Sequence, residues 1–294
     1  IGCSLGIPPI TPRPLQIERA GCGADIMLQR VQSVHGAFVS QPVYRLEAGS
    51  TRSHLNERRR KGERLVLEDL HLSFGTRQVL RGLNLEVPAG QFLAIVGRSG
   101  VGKSTLMRLI VGLDRPTKGR VSIGGAAVEG VQRTVKLLFQ DARLLPWQTV
   151  LSNVGIARAP GWRDKALEAL RDVGLADRSN DWPAVLSGGQ RQRVALARVL
   201  VGEPGVLLLD EPFGALDALT RSEMHGLLEK LWFRDGFTTV LITHDVAEAI
   251  ALADRVVVMN EGRVTFDVDI TVERPRRRSD VQLSALQDRI LQEV

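Results

Sequence analysis

The run Gln91-Phe92-Leu93-Ala94-Ile95-Val96 ends in Gly97-Arg98-Ser99-Gly100-Val101-Gly102-Lys103-Ser104-Thr105, and no other stretch restricts the fold of this chain as strongly. A short apolar run that stops at glycines reads as a buried strand, and Lys103–Val111 behind it reads as a helix. Glycines let backbone N–H groups converge on an anion with no Cβ in the way. The helix N-terminus adds partial positive charge. Strand, glycine loop and helix in this order fit a phosphate-binding loop for a nucleoside triphosphate. Every residue from Gly97 to Thr105 is a candidate nucleotide contact. Lys103 is expected to reach the β- and γ-phosphates, and Ser104 to ligate Mg²⁺.

A second apolar run, Val206–Leu209, delivers Asp210 and Glu211 just ahead of Pro212. Neighbouring side chains on an extended strand point to opposite sides. One carboxylate, Asp210, can therefore serve Mg²⁺ while Glu211 aligns or deprotonates an attacking water. Further strands are expected at Leu65–Phe74, Val79–Leu85, Val121–Gly124, Thr134–Phe139, Thr238–Thr243 and Arg255–Met259. Helices are expected at Asp164–Val173, Gln190–Val201, Leu216–Trp232 and Val246–Leu252. Strands alternating with helices argue for an α/β fold with a parallel sheet. A mainly helical block, residues 149–202, interrupts it in sequence.

No stretch approaches the ~18–20 consecutive apolar residues that cross a bilayer, so membrane association would be borrowed from a partner. The net charge of +6 is uneven: residues 1–62 hold nine Lys/Arg against four Asp/Glu, which leaves +1 for the rest. A core so nearly neutral points away from a nucleic-acid partner. Cys3 and Cys22 both lie in that leading segment. The cysteine-free body excludes a disulfide framework and fits a reducing compartment. Residues 1–63, rich in Pro, Gly, Ser and Arg and without sustained periodicity, are expected to be a disordered or mis-annotated extension, with a transit peptide as the alternative. Residues 266–294 are expected to be a short tail. Its basic run, Arg274-Pro275-Arg276-Arg277-Arg278, reads as a solvated linker, with contact to anionic lipid as the sharper alternative.

The order glycine loop, Gln140, Leu186-Ser187-Gly188-Gly189-Gln190, Asp210-Glu211, Asp217, His244 resembles the ATP-binding cassette (ABC) ATPases across residues 64–265. The resemblance implies a RecA-like P-loop core, an antiparallel β subdomain and an inserted helical signature subdomain at about residues 141–202. It implies that Gln140 senses Mg²⁺ and the γ-phosphate, that His244 contacts the γ-phosphate, that Asp217 touches a second cassette and that Phe74 stacks on adenine. Ser187, Gly188, Gly189 and Gln190 also open a helix and so form an anion site of their own. The family's answer to two such sites is a head-to-tail dimer, with ATP sandwiched between the Lys103 loop of one copy and the Ser187 loop of the other.

The spacing narrows the branch. Only 83 positions separate Lys103 from Leu186, too few for a long coiled-coil insert, and there is one cassette, not two. The stretch Asp141-Ala142-Arg143-Leu144-Leu145-Pro146-Trp147, with Gly161-Trp162-Arg163-Asp164, Asp181-Trp182-Pro183 and Leu216–Arg221, resembles the ATP-binding subunits of bacterial aliphatic sulfonate importers. Taurine and nitrate importers share part of the pattern, and a soluble non-transport ABC ATPase acting on nucleic acid is the alternative from another class. The resemblance implies a peripheral subunit on the cytoplasmic face of the inner membrane, with ATP, Mg²⁺, two permease subunits and an extracytoplasmic substrate-binding protein. Leu144, Leu145 and Trp147 are expected to be exposed on their loop as a socket for a permease helix.

Overall fold

The computed structural model describes residues 62–276 and 280–294. Apart from Gly62 and Glu63, the expected N-terminal extension lies outside the described residues. Glu63 belongs to the fold: its amide donates to the Gly205 carbonyl at 3.1 Å, and its carbonyl accepts from Thr238 Oγ1 at 2.7 Å.

In chain order the first elements are β1 (Leu65–Phe74), β2 (Arg77–Val87), β3 (Phe92–Val96), α1 (Lys103–Val111), β4 (Lys118–Ile123), β5 (Ala126–Ala127) and β6 (Val135–Leu138). Three helices follow, α2 (Val150–Val154), α3 (Trp162–Asp172) and α4 (Gly188–Leu200). The chain then runs through β7 (Val206–Asp210), α5 (Ala218–Asp235), β8 (Thr238–Thr243), α6 (Val246–Leu252), β9 (Arg255–Asn260), β10 (Arg263–Asp269) and α7 (Val281–Glu293).

Two sheets result. An antiparallel one runs β2-β1-β4-β5, and a six-stranded one runs β10-β9-β3-β8-β7-β6. The latter is parallel except at its β10 edge. Its central strands β3, β7 and β8 are buried nearly throughout because both faces are covered, and β3 and the first four residues of β7 read as unbroken apolar runs. Side-chain alternation splits β3 between two cores: Phe92, Ala94 and Val96 face one, Leu93 and Ile95 the other. The second core holds Leu106, Met107 and Ile110 of α1, wedged against the antiparallel sheet. The first core gathers α2 to α7. There Phe92 meets Trp232 of α5 edge-to-face, ring centroids 5.8 Å apart.

Parallel register decides where the chemistry goes. Val96 lies opposite Thr243, Asp210 opposite Ile242 and Leu138 opposite Leu209. The loops leaving β3, β6, β7 and β8 therefore emerge along one carboxyl edge, where open α/β sheets bind ligands.

Residues 266–294, where described, are part of the fold rather than a tail. Residues 263–269 are a sheet strand, and α7 buries Leu283 and Ile290 in the larger core. Nor is the described part of the basic run a solvated linker. Arg274 sits 4.7 Å from the Trp232 ring centroid and pairs with Glu229 and Asp254 at 3.0 and 2.9 Å. Arg276 donates to the Ile250, Ala253, Ile270 and Val272 carbonyls, and burial pulls its guanidinium down to about 10. A pattern of consecutive arginines cannot distinguish solvated side chains from ones that cap buried carbonyls. Arg277 and Arg278 lie outside the described residues.

Candidate active site

The glycine loop joins β3 to α1 with Gly102 as the helix N-cap at φ 107°, a left-handed conformation that favours glycine. At Gly97 the constraint is proximity: a Cβ would stand 2.3 Å from the Met259 carbonyl oxygen. Arg98, Ser99 and Gly100 are exposed, Val101 and Thr105 are half-buried, and the Ser104 side chain is open to solvent. Lys103 is only 6% exposed. Its ammonium donates to the Gly97 and Arg98 carbonyls at 2.5 and 2.9 Å, holding the loop closed around itself. Burial lowers its pKa, against the pull of Glu211 and Asp210.

Asp210 ends β7 half-buried. Burial, then the adjacent Glu211, raises its pKa, while Lys103 and Arg143 oppose the rise. Glu211 leaves the strand at φ 45°, unusual for a residue with a side chain, and its amide donates to the Ile242 carbonyl at 2.9 Å. Strain of this kind concentrates at functional positions. Glu211 is therefore off the extended strand, and the alternation expected of an extended Asp210-Glu211 pair is not what aims its side chain. Glu211 Oε2 then lies 3.2 Å from Nδ1 of His244, the residue that follows β8 and is 64% exposed. Gln140 follows the end of β6 and is exposed, with Nε2 3.2 Å from where a Cβ on Gly214 would stand. Lys103, Asp210, Glu211 and His244 thus converge on one edge, with Gln140 on the loop beside them.

The remaining predicted contacts lie further out. Phe74 closes β1, 56% exposed, on the sheet whose Val79 and Leu80 abut Gly102. Ser187 caps α4 in a reciprocal box: its Oγ accepts from the Gln190 amide at 3.2 Å, and its own amide donates to Gln190 Oε1 at 2.9 Å. Gly188 is open to solvent. Gly189 packs so tightly on α5 that a Cβ would meet Thr220 Cγ2 at 2.3 Å. Asp217 was expected inside a helix beginning at Leu216. Instead it caps α5, accepting from the Leu219 and Thr220 amides at 3.1 and 3.0 Å, because an aspartate at the N-cap satisfies donors the helix leaves free. Those bonds, Thr220's first, hold its carboxyl below the usual range.

A cavity of about 370 Å³ opens between α4 and the loops after β6 and β7, lined by Gln140, Asp141, Gly188, Gln192 and Pro212 among others. Ser104 and Asp210 are hard oxygen donors of the kind Mg²⁺ takes. Asp210, pushed toward its neutral form by burial and Glu211, is a carboxylate that a divalent cation would recharge. Among the described residues no group of three or more His, Cys, Asp or Glu is placed to hold a metal ion by itself, and Mg²⁺ is commonly held by one or two carboxylates together with substrate phosphates.

The sequence model of the family described as ABC transporter matches residues 80–214. The aliphatic sulfonates import ATP-binding protein SsuB of Pseudomonas putida is 56% identical over 234 residues, 80% of this chain and 87% of that protein. Its counterpart in Pectobacterium atrosepticum is 53% identical, over 83% of this chain and 92% of the relative. The chain belongs to the ABC transporter ATP-binding family.

Solved cassettes share its architecture. MJ0796, an ATP-binding cassette solved as a dimer in a post-hydrolysis state bound to ADP and Pi, is 33% identical with a TM-score of 0.63, covering 71% of this chain and all of that one. CbiO1 from Clostridium perfringens, part of the ABC transporter complex cbiONQ, is 30% identical with a TM-score of 0.67, covering 78% and 98%.

Sequence reasoning missed three polar residues that hold the cassette's loops in place. Asn153, fully buried, accepts from the Leu145 amide at 2.7 Å, and the Leu145, Gln148 and Thr149 carbonyls, each 3.1 Å from its Nδ2, share that nitrogen's two hydrogens. Arg198 on α4 donates to the Ala142 and Arg143 carbonyls at 2.6 and 2.8 Å. Gln192, on the same helix, bonds to the loops after β6 and β7. The available signal was a polar residue at an apolar position: Gln192 shares a stripe with Ala195, Leu196 and Val199, and Asn153 sits beside Val150 and Val154. Of the expected socket, Trp147 is 67% exposed, but Leu145 is half-buried and Leu144 packs against the larger core.

Proposed function

We propose that this chain is the ATP-hydrolysing subunit of an importer for aliphatic sulfonates. The observation that carries hydrolysis is the Glu211–His244 contact at 3.2 Å, on the sheet edge that also bears Lys103 and Asp210. The sulfonate substrate is carried by the relatives' names and their identity of more than half over most of the chain.

ATP sits with its phosphates over Gly97–Thr105 and its adenine against Phe74. Lys103 turns from the loop carbonyls to the β- and γ-phosphates. Glu211 holds the attacking water, whose oxygen bonds to the γ-phosphorus as the bond to the bridging β–γ oxygen breaks. The water's proton passes to the Glu211 carboxylate, and ADP leaves with the bridging oxygen. His244, held at Nδ1 by Glu211, presents its other nitrogen to the γ-phosphate, and Gln140 reads the same group from the loop after β6. Ser104, Asp210 and Gln140 would hold Mg²⁺, which when bound offsets charge on the phosphate oxygens.

Ser187–Gln190 and Asp217 act on the nucleotide of a second copy, so the working unit is a dimer. No described helix is long and apolar enough to cross a membrane. As the ATP-binding subunit of an importer, the dimer works on the cytoplasmic membrane face through two permease subunits and an extracytoplasmic binding protein, a reading supported by the relatives' names. Residues 64–265 act as the nucleotide-binding unit. Deleting the gene should abolish growth on an alkanesulfonate as sole sulfur source and spare growth on sulfate. Wild-type chain should restore growth and Glu211→Gln should not. Undiminished uptake of labelled alkanesulfonate by the deletion strain would overturn the substrate, and loss of nitrate or taurine uptake instead would redirect it.

A further inference from the structure

We infer that Gln192 is a positioning residue for hydrolysis, setting Gln140 and Glu211 in register with the Ser187 end of α4. This rests on the hydrolytic reading above. Gln192 is 3% exposed. Its Nε2 donates to the Phe139 carbonyl at 2.9 Å and to the Pro212 carbonyl at 2.9 Å. Phe139 directly precedes Gln140, and Pro212 directly follows Glu211. One side-chain amide therefore spends both of its hydrogens tying together the two loops that carry the hydrolytic groups.

The tie is anchored on the helix that Ser187 caps. Gln192 lies five residues past the cap, about 7.5 Å along the axis, within the first turns of a continuous helix. Lower on α4, Arg198 fixes the same loop at Ala142 and Arg143. Near its start, Gly189 packs directly on Thr220, a residue that bonds to Asp217. A shift of the Ser187 end cannot be absorbed locally, because packed helices move as units. Engagement of Ser187 with a second copy's nucleotide is thus felt at Gln140 and Glu211 of the same chain, and Gln192 is the direct link. It touches no substrate; it acts through the two backbones it holds.

The test uses the full-length chain and steady-state ATP turnover. Gln192→Met keeps length and removes both donors. It should lower kcat on the order of 10- to 100-fold, the effect of a small misplacement of reacting groups, while the KM for ATP stays within about threefold. If kcat stays within about twofold of wild type, or if kcat and ATP affinity fall together, the assignment is overturned in favour of a merely structural amide. Gln192→Glu guards against a folding defect. Its ionised carboxylate faces two carbonyls, whereas its protonated form donates one hydrogen bond. Its kcat relative to wild type should therefore rise as pH falls from 8 to 6, and a flat ratio counts against the inference. Glu211→Gln run alongside separates the two claims. If that variant turns over normally, the hydrolytic reading fails. If it is dead while both Gln192 variants match wild type, only the positioning role fails.

Discussion

The cassette carries two glycine-bearing helix N-termini, and they are built differently. At α1 the loop leaves β3 with its tip exposed but its lysine enclosed, and Asp210 and Glu211 lie within electrostatic reach. At α4 the entry is exposed, capped by its own Ser187–Gln190 box, and no lysine sits in its first turn. The first has an enclosed lysine, the half-buried Asp210 and a Glu211 carboxylate 3.2 Å from His244. The second has amides, a hydroxyl and Arg191, whose guanidinium is turned to the Leu186 carbonyl at 2.6 Å. A helix end of the second kind attracts an anion but cannot complete a site. The contrast supports reading Ser187–Gln190 as half of a site that a second copy's phosphates finish.

The comparison is most directly broken by paired substitutions. Lys103→Ala should weaken ATP binding to the isolated chain at least about tenfold, the usual loss for a hydrogen bond to a charged group. Ser187→Arg should leave that binding within about twofold yet reduce turnover by about 10², as loss of a single transition-state donor does. Titration with a fluorescent ATP analogue, with phosphate release measured in parallel, separates the two. Equal losses of binding in both variants would erase the distinction between the sites.

A smaller effect sharpens the description of the first site. Phe74→Ala should weaken ATP binding by about fivefold, the low end for a base stacked on an aromatic ring, because Phe74 is more than half exposed before nucleotide arrives. GTP should lose affinity by a similar factor, since stacking does not read base edges.

The smallest concerns the free chain. Asp210's pKa is raised in the folded state, so its favourable contribution is full below the ordinary aspartate range and is lost as pH rises through the raised value. Asp210→Asn should therefore raise the Tm at pH 7, a shift read by thermal denaturation of the two proteins side by side. That advantage should shrink as pH falls toward 4. A Tm below wild type at pH 7 would show that Asp210 is stabilised, not penalised, where it sits.

Much of this architecture could be read along the chain, because it is written in short spans. Gln91–Val96 is apolar throughout, which marks a strand covered on both faces, and the glycines after it permit only a tight loop around an anion. The boundaries of β1, β8 and α6 also follow from local periodicity. Spans of this kind need no distant partner to be legible. The same is true of the Ser187-Gly188-Gly189 start of α4 and of the Asp210-Glu211 pair at a strand end.

Other features depend on partners far away in sequence. That Glu211 meets His244 follows from β7 and β8 being neighbours in register, with Asp210 opposite Ile242. That Leu144 packs inward and that Arg274 and Arg276 are drawn against the fold could not be read from residue type, because each is settled by which side chains, carbonyls and rings arrive beside it. Gln192 is the sharpest case: its two acceptors lie 53 and 20 residues away. Local sequence determined which groups this protein brings to phosphate chemistry. Only the tertiary structure decided how those groups are held against one another, since buried polar side chains take their roles from the hydrogen-bond partners that packing delivers.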